Sequence, residues 1–188
     1  MNKIKQNKIN FTLILVAITV TFSSLTILSL PALFNYNSKA EKIEKFFYQN
    51  FKLYLNTTGK ISYKPFPKPH LLVENAYLNL EKSTTNNTLI KTKNLKIFIS
   101  LRDIYLRSFK NFSSTEIIDT NLEFQISNLK NIRDHIYKKI NKPIILNNCK
   151  LFLKNKENDV ILISPIEKVF YKIDTKNKYK NFLIDGKI

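Results

Sequence analysis

The first apolar run is the longest. Residues 11–30 (FTLILVAITVTFSSLTILSL) carry no charge, and about twenty helical residues at 1.5 Å each span about 30 Å, the thickness of a bilayer's hydrocarbon core. A transmembrane anchor is predicted over residues 10–33. The hydroxyls of Thr12, Thr19, Thr21, Ser23, Ser24 and Ser29 can bond back to helix carbonyls, so they do not oppose insertion, and Pro31 ends the helix. Lys3, Lys5 and Lys8 precede the run without an acid among them, whereas Lys39, Lys42 and Lys45 alternate with Glu41 and Glu44. The positive-inside rule then puts the basic tail, residues 1–9, in the cytoplasm and everything beyond about Asn35 across the membrane. Ser38-Lys39-Ala40 offers small residues to a signal peptidase, but the run exceeds a signal core and Ala40 lies far beyond it, which favours an anchor over a cleaved signal.

Over residues 40–55 the apolar positions Ile43, Phe46, Phe47, Phe51, Tyr54 and Leu55 recur at helical spacing. An amphipathic helix is expected within a juxtamembrane segment, residues 34–60, packing on the following domain rather than lying in the lipid interface. Gly59, after Thr57 and Thr58, is expected to cap it in the left-handed conformation.

Beyond Gly59 the period changes to two, opening a β-rich domain over residues 61–188. Ile61 and Tyr63 begin a strand, and Pro65, Pro67 and Pro69 then force a connector. Leu71 and Val73 alternate, after which the phase slips by one to Ala76, Leu78 and Leu80, which requires a bulge near Asn75. Leu95, Ile97, Ile99 and Leu101 form a strand, residues 101–109 a short helix, and Ile118, Thr120, Leu122, Phe124 and Ile126 the most regular strand. Leu129, Ile132, Ile136 and Ile140 stripe a helix that exposes Lys130, Arg133, Lys138 and Lys139. Strands resume over residues 144–153, 160–163, 169–173 and 182–188. The last stops in mid-pattern, so the domain is expected to be incomplete at its C-terminal end or to offer that edge to a partner. The fold class is α+β: one transmembrane helix, an amphipathic helix, then a curved, mainly antiparallel, groove-like sheet with short helices.

Composition adds charge and removes chemistry. Of 188 residues, 31 are Lys or Arg against 14 acids, a net charge of +17. Asn-, Lys- and Ile-rich usage accounts for part of this, and the functional reading of the charge beside it is attraction to an acidic surface, either phosphate or anionic lipid. One Cys and two Gly exclude a disulfide framework and a Gly-rich nucleotide cradle. The Asn-x-Ser/Thr triplets are what an Asn-rich chain produces by chance. His70 and His135 have no second ligand at metal-like spacing. His70 reads as a solvated loop residue, Arg133-Asp134-His135 as a surface charge pattern, and Cys149 as a small buried hydrophobe. No hydrolase elbow, P-loop or zinc-protease motif occurs. No enzyme, cofactor or metal is expected.

The order of these features resembles the N-terminal region of the AsmA family of bacterial envelope proteins. The resemblance rests on the apolar anchor, Thr58-Gly59-Lys60, Ile61-Ser62-Tyr63, the segment from Pro65 to Pro69, Leu71-Leu72-Val73-Glu74-Asn75-Ala76-Tyr77-Leu78, and Leu95-Lys96-Ile97-Phe98-Ile99-Ser100-Leu101. Family members are usually several times longer, and Cys149 stands where the family often has Gly. The resemblance implies an inner-membrane protein whose periplasmic sheet forms an apolar groove for phospholipid acyl chains on their way to the outer membrane, supporting outer-membrane integrity. Its lining is expected to be Leu71, Val73, Leu78, Leu95, Ile97, Ile99, Ile118, Leu122, Phe124 and Ile126, with Lys at the rim; the alternative of equal weight is a closed core, in which the apolar face packs on the domain's own helices and accounts for much of Leu71, Val73, Leu95 and Ile97. A lipid tail gains about 0.8 kcal/mol per buried methylene, so such a groove needs no specific contact. The alternatives are a membrane-tethered scaffold for outer-membrane protein assembly, engaging an envelope partner at the C-terminal strand edge, and a bitopic component similar to those of lipopolysaccharide export. Nucleic acid is not expected as a partner, because the orientation places the basic domain away from the cytoplasm.

Overall fold

A computed structural model describes residues 2–80, 90–140, 142–173 and 180–185. The chain divides into two compact units, Met1–Phe34 and Asn35–Ile188. In the first, helix α1 (Asn2–Ser29) is followed by a 3-10 turn, Leu30–Leu33, that contains Pro31. The segment Phe11–Leu33 is long and apolar enough to cross a membrane. Its hydroxyls bond inward as expected: Thr19, Thr21 and Ser24 each donate to the carbonyl four residues back, at 2.8 to 2.9 Å, and Thr26 does the same.

The second unit is α+β, as expected. Helix α2 (Ala40–Phe51) precedes strands β1 (Tyr54–Thr57), β2 (Ile61–Lys64), β3 (His70–Asn79) and β4 (Ile90–Ile99). Helix α3 (Leu101–Tyr105), strands β5 (Phe112–Ile118) and β6 (Asn121–Gln125), helix α4 (Leu129–Lys139) and strands β7 (Ile144–Lys154), β8 (Val160–Ile173) and β9 (Lys180–Asp185) follow. Among the described residues all nine strands share one sheet, with β1 and β2 both beside β3, and with β5 and β6 both between β4 and β7. The pairings are antiparallel except where β5 and β6 meet β7. Those two are parallel because the chain crosses back through α4, the connection a parallel pair requires.

Several boundaries differ from the sequence reading. The amphipathic helix stops at Phe51, where Lys52 takes the left-handed conformation at φ 55° and its N–H bonds to the Tyr48 carbonyl. Tyr54 and Leu55 belong to β1. Helix and strand periods overlap on these two apolar residues, and pairing with Leu78 and Asn79 decides for the strand. Gly59 therefore caps no helix, and its φ is not positive. It is needed for space: a Cβ there would lie 2.2 Å from the Glu74 carbonyl oxygen. The strand expected over residues 118–126 is two strands broken at Asp119, φ 51°, with Ile126 in a 3-10 turn. The two runs expected at residues 160–163 and 169–173 are one strand, β8, with Pro165 inside it, opposite Lys150. The final strand is described only to Asp185; residues 186–188 of the expected run lie outside the described residues.

The slip read at Asn75 is part of a larger feature. Asn75 has φ 51°, and Asp119 and Asn148 have 51° and 52°. The registers place all three on one line across the sheet: Asn75 lies between the β3–β4 pairs Glu74↔Asn94 and Ala76↔Thr92, Asp119 follows the pairs that Ile118 makes, and Asn148 follows the pair of Asn147 with Ile118. At the same level Thr58, Gly59 and Lys60 face only Glu74 and Asn75. Each strand thereby changes phase once, so that inward residues three apart (Val73 and Ala76, Leu95 and Thr92, Ile117 and Thr120) share one face. A bulge on a single strand would break pairing with its neighbours, whereas a shared one keeps the register on both sides.

That face carries the core. One row of partners runs Tyr63, Leu71, Ile97, Thr115, Ile144 and Tyr171, and the next Ile61, Val73, Leu95, Ile117, Leu146 and Val169. Helix α2 packs on β1 and β5 with Ile43, Phe47 and Phe51 fully buried, and it is fastened by Glu44, which accepts from both the N–H and the hydroxyl of Thr57. Helix α4 is tied by the Tyr171 hydroxyl, which donates to the Ile140 carbonyl at 3.1 Å, and by His135 Nε2, which meets the Lys52 carbonyl at 2.7 Å.

Candidate functional surface

Cover decides which of the expected lining residues are accessible. Leu71, Val73, Leu78, Leu95 and Ile97 are fully buried, and Ile99 and Leu122 nearly so. They form a closed core, because α2 and the neighbouring rows fill the space in front of them. Ile118 lies on the opposite face, since the break at Asp119 turns Ile117 inward in its place. Phe124 is half-buried and Ile126 is 50% exposed. Of the ten residues, the structure thus leaves Phe124 and Ile126 at an accessible end of the core face and places the others in the core or behind the sheet.

Beside Phe124 the apolar surface continues onto β7 and β8. Phe124 pairs with Leu153, and Leu153 with Leu162. In the next row Leu122 pairs with Leu151, and Leu151 with Ser164. Paired residues share a face, so Phe124, Leu151, Leu153 and Leu162 form one strip that passes from half-buried to exposed. Val160, Ile161, Leu162 and Ile163 are 47 to 58% exposed. On the other face Ile163 pairs with Phe152, so this end of β8 is apolar on both sides. The signal in the sequence was four consecutive apolar residues in a strand that packing on one face alone would have made alternate. Among the described residues β8 pairs with β9 only from Lys168 to Ile173, which leaves residues 160–167 paired with β7 alone.

The cations of these strands lie on the other face, with Phe152: Lys150 is exposed there, and Lys154 bonds to Glu123 at 2.6 Å, while Lys156 is exposed in the turn that follows β7. The core beneath is closed by polar pairing along the line of bulges: Thr120 donates to Thr92 at 2.7 Å, and the Asn148 side chain donates to that of Asp119. Cys149 is buried between these residues, as expected, and burial raises its thiol pKa, so it is inert rather than nucleophilic.

The remaining polar residues serve structure. His70 is not a loop residue: it opens β3, is 3% exposed, packs at a tilt against the Phe98 ring and meets the Lys68 carbonyl through Nδ1 at 2.7 Å. A carbonyl only accepts, so Nδ1 carries the proton. Arg133 pairs with Asp134 at 2.9 Å on the exposed side of α4. Among the described residues no group of His, Cys, Asp and Glu could hold a metal. No family model matches the chain, and no curated protein matches it.

Proposed function

We propose that the chain is a membrane-anchored, lipid-handling module of the bacterial envelope, similar in plan to the N-terminal region of AsmA proteins. Its tail is cytoplasmic and its sheet periplasmic, and phospholipid acyl chains lie along the strip of Phe124, Leu151, Leu153 and Leu162. The observation that carries this reading is the exposure of four successive apolar residues of β8, continuous with half-buried apolar residues of two neighbouring strands. Contiguous exposed apolar surface on a folded domain marks a protein, membrane or ligand interaction site, and the apolar segment Phe11–Leu33, long enough to cross a membrane, supports lipid as the occupant. The lining differs from the one expected from sequence, because helix cover closes the N-terminal half of the core face.

A photo-crosslinking residue at Leu162 or Phe124 of the full chain in bacterial membranes is expected to yield phospholipid adducts by mass spectrometry, and one at the buried Leu95 none. Absence of lipid at both accessible positions overturns the proposal. Among the described residues β9 ends the strand order, and its outer edge favours a second reading, a scaffold that receives a partner's strand there. In that case removal of residues 181–188 abolishes co-purification of an envelope protein while the lipid adducts persist.

A further inference from the structure

A second apolar and basic cluster lies at the end of the sheet where β2 and β4 stop and β3 and β5 begin. Two connectors meet there, since the Ile99 N–H bonds to the Pro69 carbonyl. The connector of residues 65–69 presents Phe66, 62% exposed, and the segment after β4 presents Leu106, 64% exposed, beside the partly exposed Tyr105. Around them Lys64, Lys68, Arg102, Arg107 and Lys110 are exposed. The acid in these two segments is Asp103, whose carboxylate accepts from Ser100 and Ser108 at 2.7 Å each.

This end is built around the residue that follows the apolar segment. Tyr36 is 3% exposed, packs edge-on against Phe109 at 6.3 Å, and shares its surroundings with Tyr63, Tyr105 and Arg107. The apolar segment ends at Leu33, and three residues of chain reach at most about 11 Å. A helix that spans a bilayer therefore delivers Tyr36, and the side chains packed about it, to the level of the lipid head groups. Exposed Phe, Tyr and Leu among Arg and Lys are what that layer accommodates: aromatic rings sit at the head groups, and the cations pair with phosphate.

We propose that the connectors carrying Phe66, Tyr105 and Leu106 are a second membrane contact, inserting into the head-group layer of an anionic phospholipid bilayer beside the anchor. The inference rests on α1 spanning the membrane and is independent of lipid handling at β8. Its consequence is orientation. A single flexible tether leaves a domain free to tumble, whereas a tether with an adjacent inserted tip holds the strands upright and fixes the height of the strip above the membrane.

The chain has no Trp, so a single introduced Trp reports its own environment. Full-length Phe66→Trp, Leu106→Trp, Phe22→Trp in α1 and Lys93→Trp midway along β4 would each be reconstituted in vesicles of phosphatidylcholine and phosphatidylglycerol, with and without brominated acyl chains. Emission at positions 22, 66 and 106 is expected to fall at least twofold with brominated lipid, and emission at 93 to stay unchanged. At positions 66 and 106 the quenching should weaken when phosphatidylglycerol is omitted. Quenching at 22 without quenching at 66 or 106 overturns this inference alone. A lack of quenching at 22 overturns the spanning helix and this inference with it, and equal quenching at 93 shows the sheet lying flat, which also overturns it.

Discussion

At the scale of single residues, the sheet depends on a few positions where the chain changes phase. Gly59 leaves room for the Glu74 carbonyl, and because the clash is with backbone, Gly59→Ala is expected to cost about 1 to 3 kcal/mol in denaturant unfolding of the detergent-solubilised chain. Asn148 is different, since conformation rather than space is at stake. Asn148→Gly suits the backbone but loses the bond to Asp119, so it should cost less than Asn148→Val, which loses the same bond and puts a branched Cβ at positive φ, for about 1 to 2 kcal/mol more. Only one of these bulges was legible in the sequence. Around Asn75 the apolar phase visibly slips, but from Ile118 to Ile126 the alternation is unbroken, and the adjacent pair Ile117 and Ile118 allows either phase. The pairing of β5 with both neighbours chooses Ile117, and nothing local reports that choice. His70 was misread for a similar reason: a Pro-rich connector looks solvated until Phe98 is placed across it. Burial, chiefly, lowers the His70 pKa, the flanking Lys96 and Lys64 add to this, and the Lys68 carbonyl and Glu116 oppose it. The unfolded chain then binds a proton more readily than the fold, so stability is full above the unfolded value of about 6.5 and falls as pH drops below it. Melting temperature should decline from about pH 7.5 to 5, and His70→Gln should flatten the decline; parallel curves would contradict this account.

At the scale of elements, the helices and their cover decide which surface is available. Periodicity identified α2 and α4 and their apolar stripes, because a 3.6-residue pattern is a local property. It could not end α2 correctly, since Tyr54 and Leu55 satisfy the helical pattern as well as the strand's, and the competition is settled by pairing with β3. Lys52 bears the cost in a left-handed backbone. Lys52→Gly removes that strain and is expected to stabilise the fold by about 1 kcal/mol, even though the Lys52 side chain over the Tyr48 ring is lost. The parallel pairing of β7 was also invisible, because strand direction depends on where α4 returns the chain. The Tyr171 hydroxyl is one of the ties on that return. Tyr171→Phe removes its bond to the Ile140 carbonyl and should cost about 1 to 2 kcal/mol, with faster amide exchange in α4 than in β3 or β4.

At the scale of the molecule, one sheet carries two kinds of surface. Toward β3, β4 and β5 the inward face is sealed beneath α2; toward β8 it runs out from under the helices and ends in apolar residues facing solvent. Ten lining residues inferred from alternation fell almost wholly in the sealed part, since alternation reports which side chains share a face and not whether something covers them. Leu95 and Leu162 separate the two roles. Leu95 is fully buried, and Leu95→Ala should cost about 2 to 5 kcal/mol through lost burial and the cavity left behind. Leu162 is 49% exposed, so Leu162→Ala should change stability by no more than about 0.5 kcal/mol. Lipid retention should follow the opposite order. Phospholipid recovered with the purified chain, counted per protein by mass spectrometry, is expected to fall for Leu162→Ala and, more steeply, for Leu162→Lys. Leu95→Ala should retain it at temperatures where the variant stays folded. If Leu162→Ala instead destabilises the chain as Leu95→Ala does, something packs on that strand and the strip is core. If lipid content follows stability across all three variants, the acyl chains sit in the sealed half and β8 is not their site.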